Sequence, residues 1–253
     1  MEGGTVMIYL YDGTYDGLLS AVFEAFSHRE APDNIVYQEP EQIDFFQTIH
    51  PIATHAAHAR RVEQGIVRAI GGDALNYVWA ALHSAEPYAG RDLLLFLRRG
   101  FEKGASVTEL LTEDCVVRVM RMSRSVFTEA ARWREFLRFE ELSIGVFIAQ
   151  YEPENDVTEL LMPHFSDRFC TQPFIIHDKG RQKAGVCQNG HWTLASSQRM
   201  VLPENSAQEA AYQNMWRLFY NTVSIKAREN PRLRRQMMPK KFWKDMIEMQ
   251  GKV

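Results

Sequence analysis

PFIIHDKGRQKAGVCQNGHWTL, residues 173–194, decides the fold class. Pro173-Phe174-Ile175-Ile176-His177-Asp178 is β-branched and aromatic and reads as a strand. Lys179-Gly180-Arg181 turns it, and Lys183 to Cys187 pairs back. Asn189-Gly190 is the strongest hairpin dipeptide in the chain, because a tight two-residue turn needs positive φ at both positions. It leads into a third strand at His191-Trp192-Thr193-Leu194. Upstream, Leu137-Arg138-Phe139-Glu140-Glu141-Leu142 alternates and Val146 to Tyr151 is apolar. Ser143-Ile144-Gly145 lies between them, which makes a second hairpin. Asp156 reads as the cap of a short helix over 157–165. Residues 137–195 therefore form a small antiparallel, meander-like sheet with one helix across it.

Most of what surrounds this sheet is helical. Val6-Met7-Ile8-Tyr9-Leu10-Tyr11 is an N-terminal strand, closed by the polar turn Asp12 to Gly17. Leu18 to Phe26 then recurs at helical spacing. Ile35-Val36-Tyr37 reads as a second short strand. Thr54 to Ile70 reads as a helix capped by Thr54 and closed by Gly71-Gly72, and Asp73 caps the next. A further helix follows Gly90-Arg91-Asp92. A long one runs from Cys115 to Phe136, with Arg118, Arg121 and Arg124 spaced along one face. Two helices joined at Asn230-Pro231 close the chain, because proline disfavours a helical residue before it. The fold class is α+β, mostly helical. The chain reads as a single domain over 1–253 with lobes at 1–136 and 137–253.

Hydrophobic residues make up 45% of the 253, enough for a core in an ordinary globular chain. No run of eighteen apolar residues exists, so no membrane span is expected. The first residues hold acids and no basic segment, so no secretory signal is expected. Cys115, Cys170 and Cys187 are odd in number and scattered, which favours a reducing cytoplasm over a disulfide framework.

Charge is unevenly distributed. From Ala211 to Val253 ten Lys and Arg face three acids, a balance of +7, while the whole chain carries −3. Residues 1–210 therefore carry −10. A basic tail interleaved with Tyr220, Phe242 and Trp243 suits a polyanion partner. It equally suits docking of the tail on the chain's own acidic body. Met215, Leu218, Phe219, Thr222, Val223 and Ile225 mark one apolar face on the first tail helix, and such a stripe is ordinarily packing.

Residues with chemical potential gather around His164, Ser166, Asp167, Arg168, His177, Asp178 and Arg181. A His with acids and Arg can supply general acid–base catalysis and an anion clamp. Asp12 and Asp16 flank the first strand–helix turn, where they serve equally as turn and cap residues. His50, His55 and His58 are close in sequence, but Glu63 lies off the face of His55 and His58, so no metal site is assigned. GxSxG, GxxxxGK[ST], GxGxxG, CxxC and HxE…PCxxC are all absent from the sequence, so no cofactor is expected in this chain.

Four ordered strings carry a family resemblance: Tyr11 to Gly17, Phe136-Leu137-Arg138-Phe139, Pro163 to Phe169 with Ile176-His177-Asp178, and Met238 to Lys244. Together they resemble a bacterial family of unknown function whose members are labelled probable DNA metabolism proteins. Those members are encoded beside a putative DNA-modification or DNA-repair radical-SAM protein, and a similar domain is fused to uracil-DNA glycosylase-like domains. The resemblance implies a role in DNA repair or modification. The chain departs from the family pattern in having Pro173-Phe174 where a Trp is usual. It also has Ala131-Arg132-Trp133-Arg134 where a His-Arg pair is common, which removes a candidate catalytic His.

Three functional readings follow. In the first, an accessory factor engages DNA through Arg232, Arg234, Arg235, Lys240, Lys241, Lys244, Arg138 and Trp243, beside a radical-SAM or glycosylase partner. In the second, an enzyme brings Asp12, Asp16, His164, Arg168 and Asp178 into one cleft. In the third, the chain is a protein-only interaction partner.

Overall fold

The structure, a computed structural model, describes residues 6–39 and 47–250. It divides into two compact units, 1–127 and 128–253, and the division falls inside one long helix, Asp114–Phe136.

The first unit is built on a parallel three-stranded sheet. Its strands are β1 (Val6–Leu10), β2 (Asn34–Val36) and β3 (Gln47–Pro51), in the order β2-β1-β3. The sequence reading missed β3: Gln47-Thr48-Ile49-His50-Pro51 has no strand alternation and forms by pairing with β1 over its whole length. Helices α1 (Tyr15–Ser27), α2 (Ala56–Ala69), α3 (Leu75–His83) and α4 (Ala89–Lys103) follow, and α5 (Asp114–Phe136) begins in this unit. Leu18, Leu19 and Val22 of α1, Ile66 of α2, Leu93, Phe96 and Leu97 of α4 and Val116 and Val119 of α5 share one core. Each such side chain contributes about 1.5–3 kcal/mol by leaving water. Gly90 lets α4 approach β2 closely, since a Cβ there would lie 2.4 Å from the Ile35 carbonyl oxygen.

Three expected caps are corrected. Thr54 does not cap α2: the N-cap is His55, with no side-chain bond, and the Thr54 hydroxyl donates to Asp12 instead. Asp73 sits inside a 3₁₀ turn, Gly72–Ala74, with no side-chain cap. In the second unit Asp156 pairs with Lys183 at 2.7 Å, and Val157 occupies the N-cap of α6 (Thr158–Arg168).

The second unit holds a five-stranded sheet in chain order: β4 (Glu140–Glu141), β5 (Phe147–Tyr151), β6 (Phe174–Asp178), β7 (Lys183–Gln188) and β8 (His191–Ser196). The expected hairpins form, with Asn189 at φ 53° and Gly190 at φ 75° in the last turn. The sheet is not wholly antiparallel, however, because β5 and β6 run parallel. Crossover helix α6 carries the chain back to the starting end of the sheet, which a hairpin cannot do. On one sheet face, Gly185 admits Met162 of α6, whose sulfur would lie 2.2 Å from a Cβ there. Trp133 of α5 meets Tyr151 and Phe242 edge to face, with centroids 4.9 and 4.7 Å apart.

The C-terminal segment is α7 (Glu209–Val223), α8 (Pro231–Met237) and 3₁₀ turns at Lys240–Asp245 and Ile247–Met249. The expected helix to Glu229 stops at Val223. Asn230 caps α8 by accepting from the Leu233 N–H at 3.0 Å. Among the described residues, no helix is long and apolar enough to cross a membrane.

Candidate functional site

α7 is positioned at its start by Glu209, a buried carboxylate. It accepts from the Glu141 N–H at 2.9 Å and from the Gln213 amide at 2.9 Å, tying the helix to the short edge strand β4. Further along, the Trp216 indole N–H donates to Glu248 at 3.0 Å. Glu248 is buried, and Arg138 clamps it with Nη2–Oε1 at 2.6 Å. Burial pushes the Glu248 carboxyl pKa up, but the bonds from Arg138 and Trp216 outweigh it and hold the group below the usual range.

Held this way, α7 forms one wall of a cleft of about 1060 Å³ inside the second unit. Tyr212, Met215, Trp216 and Phe219 line it from α7, and Leu137, Phe139, Phe147 and Phe169 also line it. Phe139 packs against Phe165, Phe169 and Phe174 with centroids 5.1, 4.9 and 5.8 Å apart. The α7 wall is uncovered. Met215 is 63% exposed, Phe219 56% and Trp216 39%. The apolar stripe of the sequence, expected to pack, is not buried: Met215, Leu218, Phe219, Val223 and Ile225 are all exposed. Its period was legible, but its exposure was not.

Polar groups at the cleft differ in their commitments. Glu135 pairs with Arg132, and Glu141 accepts from the Ser206 hydroxyl at 2.9 Å. Arg168, on the last turn of α6, lines the cleft and is exposed. Among the described residues its guanidinium has no carboxylate partner. His164 lies one turn earlier on α6 and touches Phe165. Burial pushes the His164 pKa down, and the positive charges of Arg134 and Arg168 push it further.

Residues 88–248 match the family described as "Domain of unknown function (DUF4130)". The chain belongs to that family. No curated protein and no solved structure matches it. The matched stretch runs from the start of α4 to the last 3₁₀ turn and contains every residue lining the cleft.

The other sequence candidates are distributed as follows. Asp178 is fully buried and holds a turn: its carboxylate accepts from the Arg181 N–H and from Arg181 Nη1, both at 3.0 Å. Neither it nor His164 lines the cleft. Asp12 and Asp16 belong to the first unit. Asp12 accepts from the Thr14 N–H at 3.0 Å, the Thr14 hydroxyl at 2.6 Å and the Thr54 hydroxyl at 2.7 Å. It thereby ties the loop after β1 to the loop after β3. Desolvation opposes its ionised form, but these bonds prevail and lower its pKa. Asp16 is exposed in the first turn of α1, whose N-cap is Thr14. His58 stacks on Phe23 with centroids 3.9 Å apart. Among the described residues, no group of three His, Cys, Asp or Glu is arranged to hold a metal ion.

The tail cations divide into two sets. Lys241 pairs with Glu154 at 3.1 Å, Lys244 pairs with Glu152, and Arg138 is committed to Glu248. Trp243 is buried and donates to the Met238 carbonyl at 2.9 Å, so it offers no face to a base. Arg234 and Lys240 lie over its ring at 6.0 and 5.6 Å. Arg232 and Arg235, on α8, are exposed with no carboxylate partner among the described residues.

Proposed function

We propose that this protein is an accessory factor in DNA repair or modification that engages the DNA backbone through α8 and works beside a radical-SAM or glycosylase partner. The observation that carries the reading is the division of the tail cations. Lys241 and Lys244 pair with Glu154 and Glu152, whereas Arg232 and Arg235 are exposed and have no carboxylate partner among the described residues. Uncommitted cations gain most from phosphate, because each contact releases condensed counterions. The family resemblance supplies the DNA context. The setting is the cytoplasm, where the free thiols Cys115, Cys170 and Cys187 stay reduced.

Fluorescence anisotropy with labelled DNA across a salt series tests this. Replacing Arg232 and Arg235 by Ala lowers the slope of log affinity against log salt by about two. Replacing Lys241 and Lys244 leaves the slope nearly unchanged. Absence of binding at low salt refutes the reading.

A second reading, a protein-only partner, draws on a different feature. Leu218, Val223, Ile225, Leu233 and Met237 are each more than half exposed along α7, α8 and the link between them, and exposed aliphatic surface of this kind marks protein contacts. Co-purification with the radical-SAM protein, lost on Leu218→Asp and Val223→Asp, supports it, and DNA binding lost with Arg232 and Arg235 favours the first reading.

A further inference from the structure

We propose that the cleft of the second unit takes unpaired nucleotides of single-stranded DNA, with bases stacked on Trp216 and Phe219 and a flanking phosphate on Arg168. This deepens the DNA-engaging reading and rests on it. The recognised chemistry is a flat aromatic ring joined to an anion, and the cleft holds a complement for each part.

The ring complement is the α7 wall. Trp216 and Phe219 have centroids 5.8 Å apart at an interplanar angle of 30°, and both remain partly exposed, Trp216 at 39% and Phe219 at 56%. A base stacked on this exposed aromatic surface removes it from water, which favours binding. The Trp216 ring is not free to collapse inward, because its N–H is tied to Glu248 and Arg138 lies 5.8 Å over its ring. It is a fixed platform, which lowers the ordering cost on binding.

The anion complement is Arg168. The carboxylates at the cleft all have partners within the fold: Glu135 with Arg132, Glu141 with Ser206, and Glu209 with the Glu141 N–H and Gln213. Of the two guanidiniums lining the cleft, Arg138 is committed to Glu248 and Arg168 has no carboxylate partner among the described residues. His164 reports the local field, since Arg134 and Arg168 both push its pKa down alongside burial. Base pairing and stacking set the strandedness: in a duplex each base face is covered by its neighbours, so only an unpaired base can lie on Trp216 or Phe219.

Oligothymidylate, and the same oligonucleotide annealed to oligoadenylate, are the probes. Tryptophan quenching and anisotropy are measured for the full chain and for Phe219→Ala and Arg168→Ala, both exposed positions outside the core. Ultraviolet cross-linking with peptide mapping is the second measurement. The expected result is single-strand binding tighter than duplex binding by about tenfold or more. Phe219→Ala weakens single-strand binding roughly tenfold with duplex binding unchanged, and cross-links map to 212–219. Equal binding of the two probes, indifferent to both variants, overturns the cleft proposal and leaves the α8 reading standing. No binding of either probe at low salt overturns both. Variants that leave DNA binding intact but change the oligomeric state by light scattering assign the cleft to a second copy of the chain and overturn the nucleotide proposal.

Discussion

Arg138→Ala is the most informative single change, because one side chain carries two rival roles. In the sequence it is a candidate DNA-backbone contact; in the structure it clamps a buried acid. Glu248 is 5% exposed and receives Arg138 Nη2 at 2.6 Å, Arg138 Nε at 3.4 Å and the Trp216 N–H at 3.0 Å. Removing Arg138 leaves a buried carboxylate with one donor. Breaking a buried pair costs about 3–5 kcal/mol. The Trp216 bond remains and the Arg138 side chain is itself 23% exposed, so the lower end applies, ~3 kcal/mol at neutral pH. Urea unfolding at neutral pH, followed by tryptophan fluorescence, measures it. The double variant with Glu248→Gln isolates the pair through a double-mutant cycle. The pH dependence fixes the sign. Glu248 has a folded pKa below its unfolded value, so its contribution is complete above the unfolded carboxyl range and is lost as pH falls through the folded pKa. Arg138→Ala removes the largest influence lowering that pKa, so the stability gap between wild type and variant narrows on acidification. A loss under about 1 kcal/mol at neutral pH, or a gap that stays constant into acid, refutes the reasoning.

Other changes test other parts of the structure. Asp12→Ala removes two hydrogen bonds within the loop after β1 and one that joins it to the loop after β3, and lowers thermal stability by about 1–2 kcal/mol after discounting for exposure. Because the Asp12 pKa is depressed in the fold, that contribution is present at neutral pH and fades as pH falls through the folded pKa. A variant as stable as wild type by calorimetry contradicts the loop tie. Gly90→Ala places a Cβ 2.4 Å from the Ile35 backbone oxygen, which cannot yield without moving β2 or α4, so it destabilises by about 2–3 kcal/mol. Gly185→Ala meets the flexible Met162 side chain and costs less in the same unfolding assay. Equal losses at both glycines contradict the packing described.

The elements legible in the sequence are those whose cause is local. Asn189-Gly190 makes its turn because Asn and Gly tolerate positive φ, and both adopt it. Asn230-Pro231 ends one helical segment and starts the next, with the Asn230 side chain supplying the cap. The apolar and aromatic runs at β1 and β6 became strands for the same reason. Where the sequence misled, a distant partner decided. Gln47-Thr48-Ile49-His50-Pro51 has no strand signal of its own and exists as β3 through pairing with β1. A helix between 151 and 174 was read correctly, yet its consequence, parallel pairing of β5 with β6, depends on where the chain returns.

The candidate site follows the same division. The sequence alone determined that α7 carries an apolar stripe and that the tail carries an excess of cations, since period and charge are properties of residue order. Only the tertiary structure decided that Met215 and Phe219 of that stripe, with Tyr212 and Trp216, line an open cleft. The same packing committed Lys241 and Lys244 to Glu154 and Glu152, residues 87 and 92 positions away, and left Arg168, Arg232 and Arg235 without a carboxylate partner among the described residues. Exposure and pairing are set by what lies across a space, and residues that far apart meet only when the whole unit packs.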